Sequence, residues 1–248
     1  MVSVAGALLT ACATTPAPEP AGEVATDASY PDSLHWSRNS AERRAIFEQT
    51  FRLAAVRLEQ LASGREPGTW GISADADETL IDNSQYQLEL SSRNETFSQE
   101  TWSAWVQRGV APALPGAVAF TQQVKAMGGV VAVVTNRDSE NCGPTAENLR
   151  AVGVTFDVVL CQAGTGQKEP RWEAVQAGAT ATWPGAQFGD SEAPPPVELL
   201  MWLGDNIGDF PDLDQEARHR DDPLWEFGDR FIALPNPMYG SWMGNDRK

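Results

Sequence analysis

The sequence predicts an α/β protein in which a mainly parallel sheet is flanked by helices. Short apolar segments alternate along the chain with segments of helical periodicity, an order of elements typical of parallel sheets. One segment, 130–134, consists of Val and Ala only, as expected of a strand buried on both faces. Polar motifs follow the predicted strands, and ligands bind at the carboxyl ends of strands in such sheets.

The elements of the N-terminal half follow from capping and periodicity. The segment 39–42 resembles a capping box with Asn39 as the cap, and apolar residues then recur at helical spacing until Gly64 predicts the end of the helix. A strand is predicted at 69–74. The insertion at 83–114 is polar and aromatic, and it predicts a small, mainly helical cap.

The C-terminal half repeats the alternation of helices and strands. Pro115 and Gly116 predict the start of a helix, and three consecutive prolines predict a surface loop at 183–196. The helix that begins at Pro115 is predicted to end at 127. The other predicted elements are a helix at 145–152 and strands at 130–134, 156–160, 198–203 and 230–234.

Length and composition limit the classes of function. The 248 residues are enough for one α/β domain with a small accessory cap. The net charge of −16 excludes a protein that binds nucleic-acid polymers through a basic surface. Only two histidines are present, so a histidine nucleophile and a His-rich zinc site are not expected.

The N-terminal segment predicts export. Residues 2–11 are apolar but too few to span a bilayer, and they end in Leu9-Thr10-Ala11-Cys12, which resembles the bacterial lipobox. We therefore expect a signal peptide at 1–12, lipidation of Cys12 and a Pro/Ala-rich tether at 13–33. This predicts a membrane partner through the lipid anchor, and an outer-membrane lipoprotein or a periplasmic protein. A buried core helix is the alternative.

Two cysteines other than Cys12 could form a disulfide in an oxidising compartment. Cys142 precedes a predicted helix, and Cys161 ends the strand after it, so one βαβ unit could bring them together. We expect a disulfide, and two free buried thiols remain the alternative.

Four acidic residues follow predicted strands, namely Asp75, Asp77, Asp205 and Asp209. Carboxylates gathered at one point repel each other, and a hard cation relieves the repulsion. Oxygen ligands without His or Cys favour Mg²⁺. A carboxylate nucleophile beside Mg²⁺ and a lysine, Lys168, suits phosphoryl transfer.

The motifs resemble the class C acid phosphatases of the haloacid dehalogenase (HAD) superfamily. The resemblance rests on four segments of the chain: 75–84 (DADETLIDNS), 134–137 (VTNR), 204–210 (GDNIGDF) and 231–240 (FIALPNPMYG). It extends from about Leu34 to Trp242. It implies a HAD-like Rossmannoid sheet with a cap, a phosphatase domain at 34–248, and Mg²⁺ as the cofactor.

The resemblance also implies roles for the acidic residues. Asp75 would be the nucleophile that forms an aspartyl-phosphate, and Asp77 would be the general acid and base. Mg²⁺ would be ligated by Asp75, Asp205 and the backbone carbonyl of Asp77, with Asp209 holding the metal shell. A solvated acidic turn is the alternative.

The other candidate site residues are expected to bind the substrate or to support its binding site. The resemblance implies that Thr135 and Lys168 bind phosphate and that Asn136 supports the site; an ordinary turn and a surface lysine are the alternatives. Trp102 and Tyr239 are candidates for stacking on a nucleobase, because aromatic rings offer large apolar faces. Core packing is the alternative for both rings.

These residues and the resemblance together imply a Mg²⁺-dependent acid phosphatase that hydrolyses phosphomonoesters, with nucleoside 5′-monophosphates as the expected substrates. A phosphotransferase and a non-catalytic binding lipoprotein on the same fold are the alternatives. The sequence leaves the oligomeric state open, a homodimer included.

Overall fold

The computed structural model describes residues 1, 30–189, 192–221 and 224–247, and it contains a six-stranded sheet. The strand order is β4-β3-β2-β1-β5-β6, and every pairing is parallel except that of β4 with β3. The strands are β1 (Trp70–Ala74), β2 (Val130–Asp138), β3 (Val158–Gln162), β4 (Gln187–Phe188), β5 (Glu198–Gly204) and β6 (Phe231–Ala233). The predicted parallel α/β sheet is confirmed.

Helices precede and connect the strands. They are α1 (Asp32–Asn39), α2 (Ala41–Ala62), α3 (Ser84–Arg93), α4 (Gln99–Arg108), α5 (Ala117–Ala126), α6 (Cys142–Ala151) and α7 (Glu169–Gln176). None of the helices in the described residues combines the length and apolarity that a membrane crossing requires.

The core lies on both faces of the sheet, and the alternation of side chains along β2 divides it. Val131 and Val133 pack on one face with α2 and α5, whereas Val130, Ala132 and Val134 pack on the other. The first face is filled by Phe47, Phe51, Leu58 and Phe120, and the second by Trp172, Trp202, Phe210 and Phe231. Burial of both faces of β2 is what its run of Val and Ala predicted.

The boundaries of several elements differ from the sequence predictions. Ser40, not Asn39, caps α2, because the Ser40 Oγ accepts a hydrogen bond from the Arg43 N–H at 3.1 Å. Asn39 is instead the last residue of α1, a helix that the sequence did not predict. Since α1 begins at Asp32, the end of the expected tether is helical.

The insertion at 83–114 contains α3 and α4, and its two ends meet beside the sheet. Ile81 forms a bridge with Ala113, and the Asp82 N–H donates to the carbonyl of Pro112 at 2.9 Å. Tyr86 of α3 contacts Trp102 of α4, with ring centroids 5.1 Å apart. The segment is therefore a compact helical cap with a closed base.

A disulfide joins Cys142, the first residue of α6, to Cys161 in β3. The Cα atoms are 5.7 Å apart, and both residues are fully buried. The bond therefore ties one helix to the strand that follows it. Cys12 and the segment 2–29, which includes most of the expected signal peptide and tether, lie outside the described residues.

Candidate active site

A cleft of about 710 Å³ lies at the carboxyl ends of the central strands. Asp75 directly follows β1, which pairs with β2 on one side and β5 on the other. Its N–H donates to the carbonyl of Leu203 in β5 at 2.9 Å. The aspartate therefore lies where the chain leaves the middle of the sheet, the position at which open α/β sheets bind ligands.

A tight loop after β1 sets the direction of the two predicted catalytic aspartates. The carbonyl of Ala76 accepts hydrogen bonds from the N–H groups of Leu80 and Ile81, at 2.9 and 3.0 Å. Glu78 adopts a left-handed conformation with φ of 49°, and its buried carboxyl group accepts from the Asn83 N–H at 2.8 Å. Burial, with the nearby carboxylates of Asp77, Asp205 and Asp82, raises the pKa of Glu78 well above its ordinary value.

Three of the predicted carboxylates meet at one point. Asp75, Asp205 and Asp209 each offer an oxygen, and these atoms all lie within 4.8 Å of one another. The ammonium group of Lys168 is buried between two of them, 2.5 Å from Asp75 Oδ1 and 2.7 Å from Asp209 Oδ1. One lysine therefore faces three carboxylates.

The electrostatics of this cluster favour a further cation. Burial raises the pKa of Asp75 to about 7; Lys168 opposes this rise and Asp209 reinforces it. Burial also raises the pKa of Asp205 well above its ordinary value, with Asp209 and Asp75 as further causes. A divalent ion would neutralise the excess negative charge, and a set of carboxylate oxygens suits a hard cation. The residues therefore fit a metal such as Mg²⁺.

Asp77 lies in the cleft but outside the carboxylate cluster. Its Oδ1 accepts hydrogen bonds from Arg137 Nη2 at 2.7 Å and from Asn83 Nδ2 at 2.8 Å. Its carboxylate is therefore turned toward these two donors, and the backbone carbonyl is the group to which the family resemblance assigns a role in metal binding.

The segment after Val134 continues β2 rather than forming a turn, because β2 extends to Asp138. Thr135 is fully buried beneath the cleft, and its Oγ1 accepts from the Arg137 N–H at 3.2 Å. Asn136 lines the cleft and is exposed. The two residues predicted to bind and support phosphate therefore differ in their access to the cleft.

Arg171 holds this segment in place and was missed by the sequence analysis. Its guanidinium group donates to the carbonyl of Thr135 and, at 2.6 Å, to Asn136 Oδ1. It also donates to the carbonyls of Gly166 and Gln167. Burial lowers the pKa of Arg171 to about 10, so it remains charged at neutral pH. Its position three residues after Lys168, on the first turn of α7, is the signal that points to it.

The loop after β5 depends on glycine at position 204. A Cβ atom there would lie 2.2 Å from Asp209 Cβ and 2.3 Å from Asp209 Oδ2. The same Oδ2 accepts from the Asn206 N–H at 2.9 Å. Asp209 therefore folds back over Gly204, and this brings its carboxylate to the cluster.

Asn236 and Thr79 orient Asp205. Asn236 Nδ2 donates to Asp205 Oδ2 at 2.8 Å, and Thr79 Oγ1 donates to Asp205 Oδ1 at 3.3 Å. The sequence analysis assigned a role to neither residue, although both lie in segments that carry the family resemblance. Each carboxylate oxygen of Asp205 therefore has one fixed donor.

The two candidate stacking residues both line the cleft. Trp102 belongs to α4, and Tyr239 follows β6; both also line a second cavity of about 660 Å³. Among the described residues, the Tyr239 hydroxyl is buried without a hydrogen-bond partner. Apolar side chains line much of the second cavity, among them Leu34, Leu90, Phe97, Met238 and Met243.

Comparison with known proteins identifies the family of the chain. The family model for HAD superfamily subfamily IIIB acid phosphatases matches residues 20–242. The class C acid phosphatase from Bacillus anthracis is 27% identical to this chain, and its structure aligns over 86% of both chains with a TM-score of 0.72. A structure of the class C acid phosphatase from this organism with tungstate bound matches with the same values.

A shorter match is found to acid phosphatase 1 from Solanum lycopersicum, which is 34% identical over 79 residues. That match spans 32% of this chain and 31% of the tomato protein. The family model, in contrast, covers most of the chain. The chain therefore belongs to the acid phosphatases of HAD superfamily subfamily IIIB, a family of phosphomonoesterases.

Proposed function

We propose that this protein hydrolyses phosphomonoesters in a Mg²⁺-dependent reaction that passes through an aspartyl-phosphate on Asp75. One observation carries the proposal: Asp75, Asp205 and Asp209 share a point with the buried ammonium group of Lys168. A pure binding protein has no need of a carboxylate nucleophile at that point. This makes the non-catalytic lipoprotein the weaker hypothesis.

The residues divide the chemistry between them. A carboxylate oxygen of Asp75 attacks phosphorus while Lys168 binds a phosphoryl oxygen and offsets its negative charge. Asp77 protonates the leaving alcohol, and it later takes a proton from the water that cleaves the aspartyl-phosphate. Thr135 and Asn136 complete the phosphate site, held in place by Arg171.

The carboxylates of Asp75 and Asp205, with the backbone carbonyl of Asp77, would hold the metal, and Asp209 would anchor its shell. Mg²⁺ bound there would neutralise charge on the transferring phosphoryl group. The Asp209 carboxylate lies within 4.8 Å of the carboxylates of Asp75 and Asp205, because Asp209 folds back over Gly204.

Nucleoside 5′-monophosphates are the proposed substrates. Trp102 and Tyr239 line the cleft and offer two aromatic faces there for stacking on a nucleobase. The tungstate complex of the Bacillus anthracis protein supports a site for a tetrahedral oxyanion in this family. Phosphate recognition and ring stacking together describe a nucleotide.

The test is phosphate release by the purified chain from a panel of 5′-nucleotides and simple phosphomonoesters, with Mg²⁺ or with EDTA. Asp75→Asn is the control. We expect turnover that requires the metal and is absent in the variant, with nucleotides ranked above simple alkyl phosphates. If folded, metal-loaded protein turned over no ester, the phosphatase proposal would be wrong and the binding lipoprotein would replace it.

A phosphotransferase is the second candidate, and the adjacency of the two cavities favours it. Because Asp77, Trp102 and Tyr239 line both cavities, an acceptor alcohol has room beside the aspartyl-phosphate. Addition of a nucleoside acceptor tests this reaction. Transfer predicts a new phosphoester at the expense of free phosphate, whereas hydrolysis predicts phosphate alone.

We also propose that the protein is exported and anchored by lipid on Cys12. The support is the lipobox-like segment before Cys12 and the disulfide between Cys142 and Cys161, a bond typical of oxidising compartments. Metabolic labelling with palmitate tests the anchor. We expect label in the wild-type chain and none in Cys12→Ser, and equal labelling of both would refute the assignment.

A further inference from the structure

We infer that Arg137 is a positioning residue that, with Asn83, orients the carboxylate of Asp77 so that Oδ2 is the oxygen that transfers the proton. We further infer that helix α4 of the cap supports this orientation. Both statements rest on the proposed function, in which Asp77 is the general acid.

Arg137 is buried beside Asp77, and most of its donors are committed to that carboxylate or to groups around it. Nη2 donates to Asp77 Oδ1 at 2.7 Å, and Nε lies 3.1 Å from both Oδ1 and Oδ2. Nη1 donates to Thr145 Oγ1 at 3.1 Å, which fixes the far edge of the guanidinium group. A planar group held at both edges leaves its partner little freedom to rotate.

Asn83 adds a third donor to the same oxygen of Asp77. Its Nδ2 donates to Asp77 Oδ1 at 2.8 Å, and its Oδ1 accepts from Trp105 Nε1 at 2.8 Å. Indole nitrogen can only donate, so this contact identifies the Asn83 oxygen and directs the amide nitrogen at Asp77. Asn83 is itself fully buried.

The two oxygens of Asp77 therefore differ. Oδ1 accepts from Arg137 Nη2, Arg137 Nε and Asn83 Nδ2, so protonation of Oδ1 would displace a donor. Among the described residues, Oδ2 accepts only from Arg137 Nε, at 3.1 Å, a donor that it shares with Oδ1. Since Asp77 lines the cleft, Oδ2 is the oxygen available to a substrate.

Helix α4 reaches this arrangement through two tryptophans. Trp105 holds Asn83, and the ring of Trp102 lies 5.3 Å from the guanidinium carbon of Arg137. Trp102 also lines the cleft and is the candidate stacking residue. Helix α4 therefore carries both the candidate stacking residue for the leaving group and the residue that positions Asn83 beside Asp77.

The P–O bond to the leaving alcohol breaks as the Asp75–phosphorus bond forms, and the proton on Asp77 Oδ2 moves to the departing oxygen. Asp77 is then a carboxylate held by Arg137 and Asn83. A leaving group that is stable as an anion does not need this proton, so its departure depends little on the orientation of Asp77.

The experiment compares kcat/KM for two esters, 2,4-dinitrophenyl phosphate and adenosine 5′-monophosphate. This ratio reports the steps up to departure of the leaving group and excludes hydrolysis of the aspartyl-phosphate. The variants are Arg137→Lys, which keeps the charge but loses the fork, and Trp105→Phe, which removes one donor to Asn83. Asp77→Asn is the reference for complete loss of the general acid.

We expect the nucleotide value to fall by about 10²-fold in Arg137→Lys and by a smaller factor in Trp105→Phe, with the dinitrophenyl ester changed by roughly threefold or less. Equal losses for both esters in both variants would indicate a merely structural role and overturn the inference. Unchanged values for both esters would overturn it as well. If the wild-type enzyme cleaves neither ester with Mg²⁺, the proposed function itself fails, a result distinct from the other two.

Discussion

The substitution Gly204→Ala tests whether the position of Asp209 sets the geometry of the metal site. The added Cβ would lie 2.2 Å from Asp209 Cβ, whereas carbon atoms pack at about 3.5 Å, so Asp209 must move by about 1.3 Å. This movement would break the hydrogen bond from the Asn206 N–H and the ion pair with Lys168. Lys168 would then form an ion pair with Asp75 alone.

The expected effects follow from that displacement. A shift of about 1 Å in a catalytic group costs roughly 10²-fold in rate, so kcat/KM should fall by about that factor. Loss of a group that supports metal ligands weakens metal affinity by about 10- to 100-fold. Overpacking costs about 1–3 kcal/mol, which lowers the Tm of a chain of this size by roughly 2–12 °C.

The assay combines 4-nitrophenyl phosphate hydrolysis, a Mg²⁺ titration of activity and thermal unfolding. Gly208→Ala is the matched control, because its Cβ would lie 3.6 Å from Asn206 Oδ1, an ordinary contact, on the same loop. We expect near wild-type behaviour from the control. If Gly204→Ala matched the control in both rate and Mg²⁺ midpoint, the proposed dependence of the metal site on Asp209 would be wrong.

Three other predictions concern pH, the disulfide and Arg171. In metal-free protein, folding raises the pKa of Asp75 from 3.8 to about 7, so between these pH values the folded state binds a proton that the unfolded state has lost. The free energy of unfolding should therefore fall as pH rises from about 4 to 7, by at most on the order of 4 kcal/mol. Thermal unfolding across this range measures the fall, which Mg²⁺ should offset. Replacing Cys142 and Cys161 together by Ser should cost about 2–4 kcal/mol, measured by urea unfolding. Arg171→Met should raise KM for phosphomonoesters more than it lowers kcat, because Thr135 and Asn136 lose their anchor.

Each of these predictions has a control. Asp75→Asn should flatten the pH dependence of metal-free protein, and an unchanged slope would assign it to other groups. A reductant should destabilise the wild-type chain but not the double serine variant; equal effects would contradict the disulfide. Lys125→Met, a lysine distant from the cleft and paired with Asp157, is the control for Arg171→Met. An unaltered KM in Arg171→Met would remove its assigned role.

The sequence predicted the sheet because the strands that form it are apolar runs bounded by glycine and polar motifs. Strand β4 was not predicted, since it has two residues and exists only through its antiparallel pairing with β3. Helix α7 also escaped prediction: its eight residues carry a proline in the first turn and alternate little between polar and apolar faces. Such elements depend on tertiary packing rather than on local pattern.

The carboxylates and Lys168 were predictable because strand ends in a parallel sheet meet at one edge. The structure places Lys168 between Asp75 and Asp209, a position that sequence spacing alone left open. Arg137 was seen only as part of a motif, and Asn83 and Arg171 received no role. The contacts of Arg137 with Asp77 and of Arg171 with Thr135 and Asn136 join residues 35 to 60 positions apart along the chain, and such contacts cannot be read from a local motif.

The closed base of the cap has an evolutionary consequence. Because Ile81 and Ala113 lie side by side, the chain leaves and re-enters the sheet at one place, and the intervening segment can be exchanged between relatives without altering strand register. Such exchange would diversify the alcohols accepted while conserving the phosphate half of the reaction. Successful chimaeras would have to retain Asn83 and Trp105, the two residues through which the exchanged segment reaches Asp77.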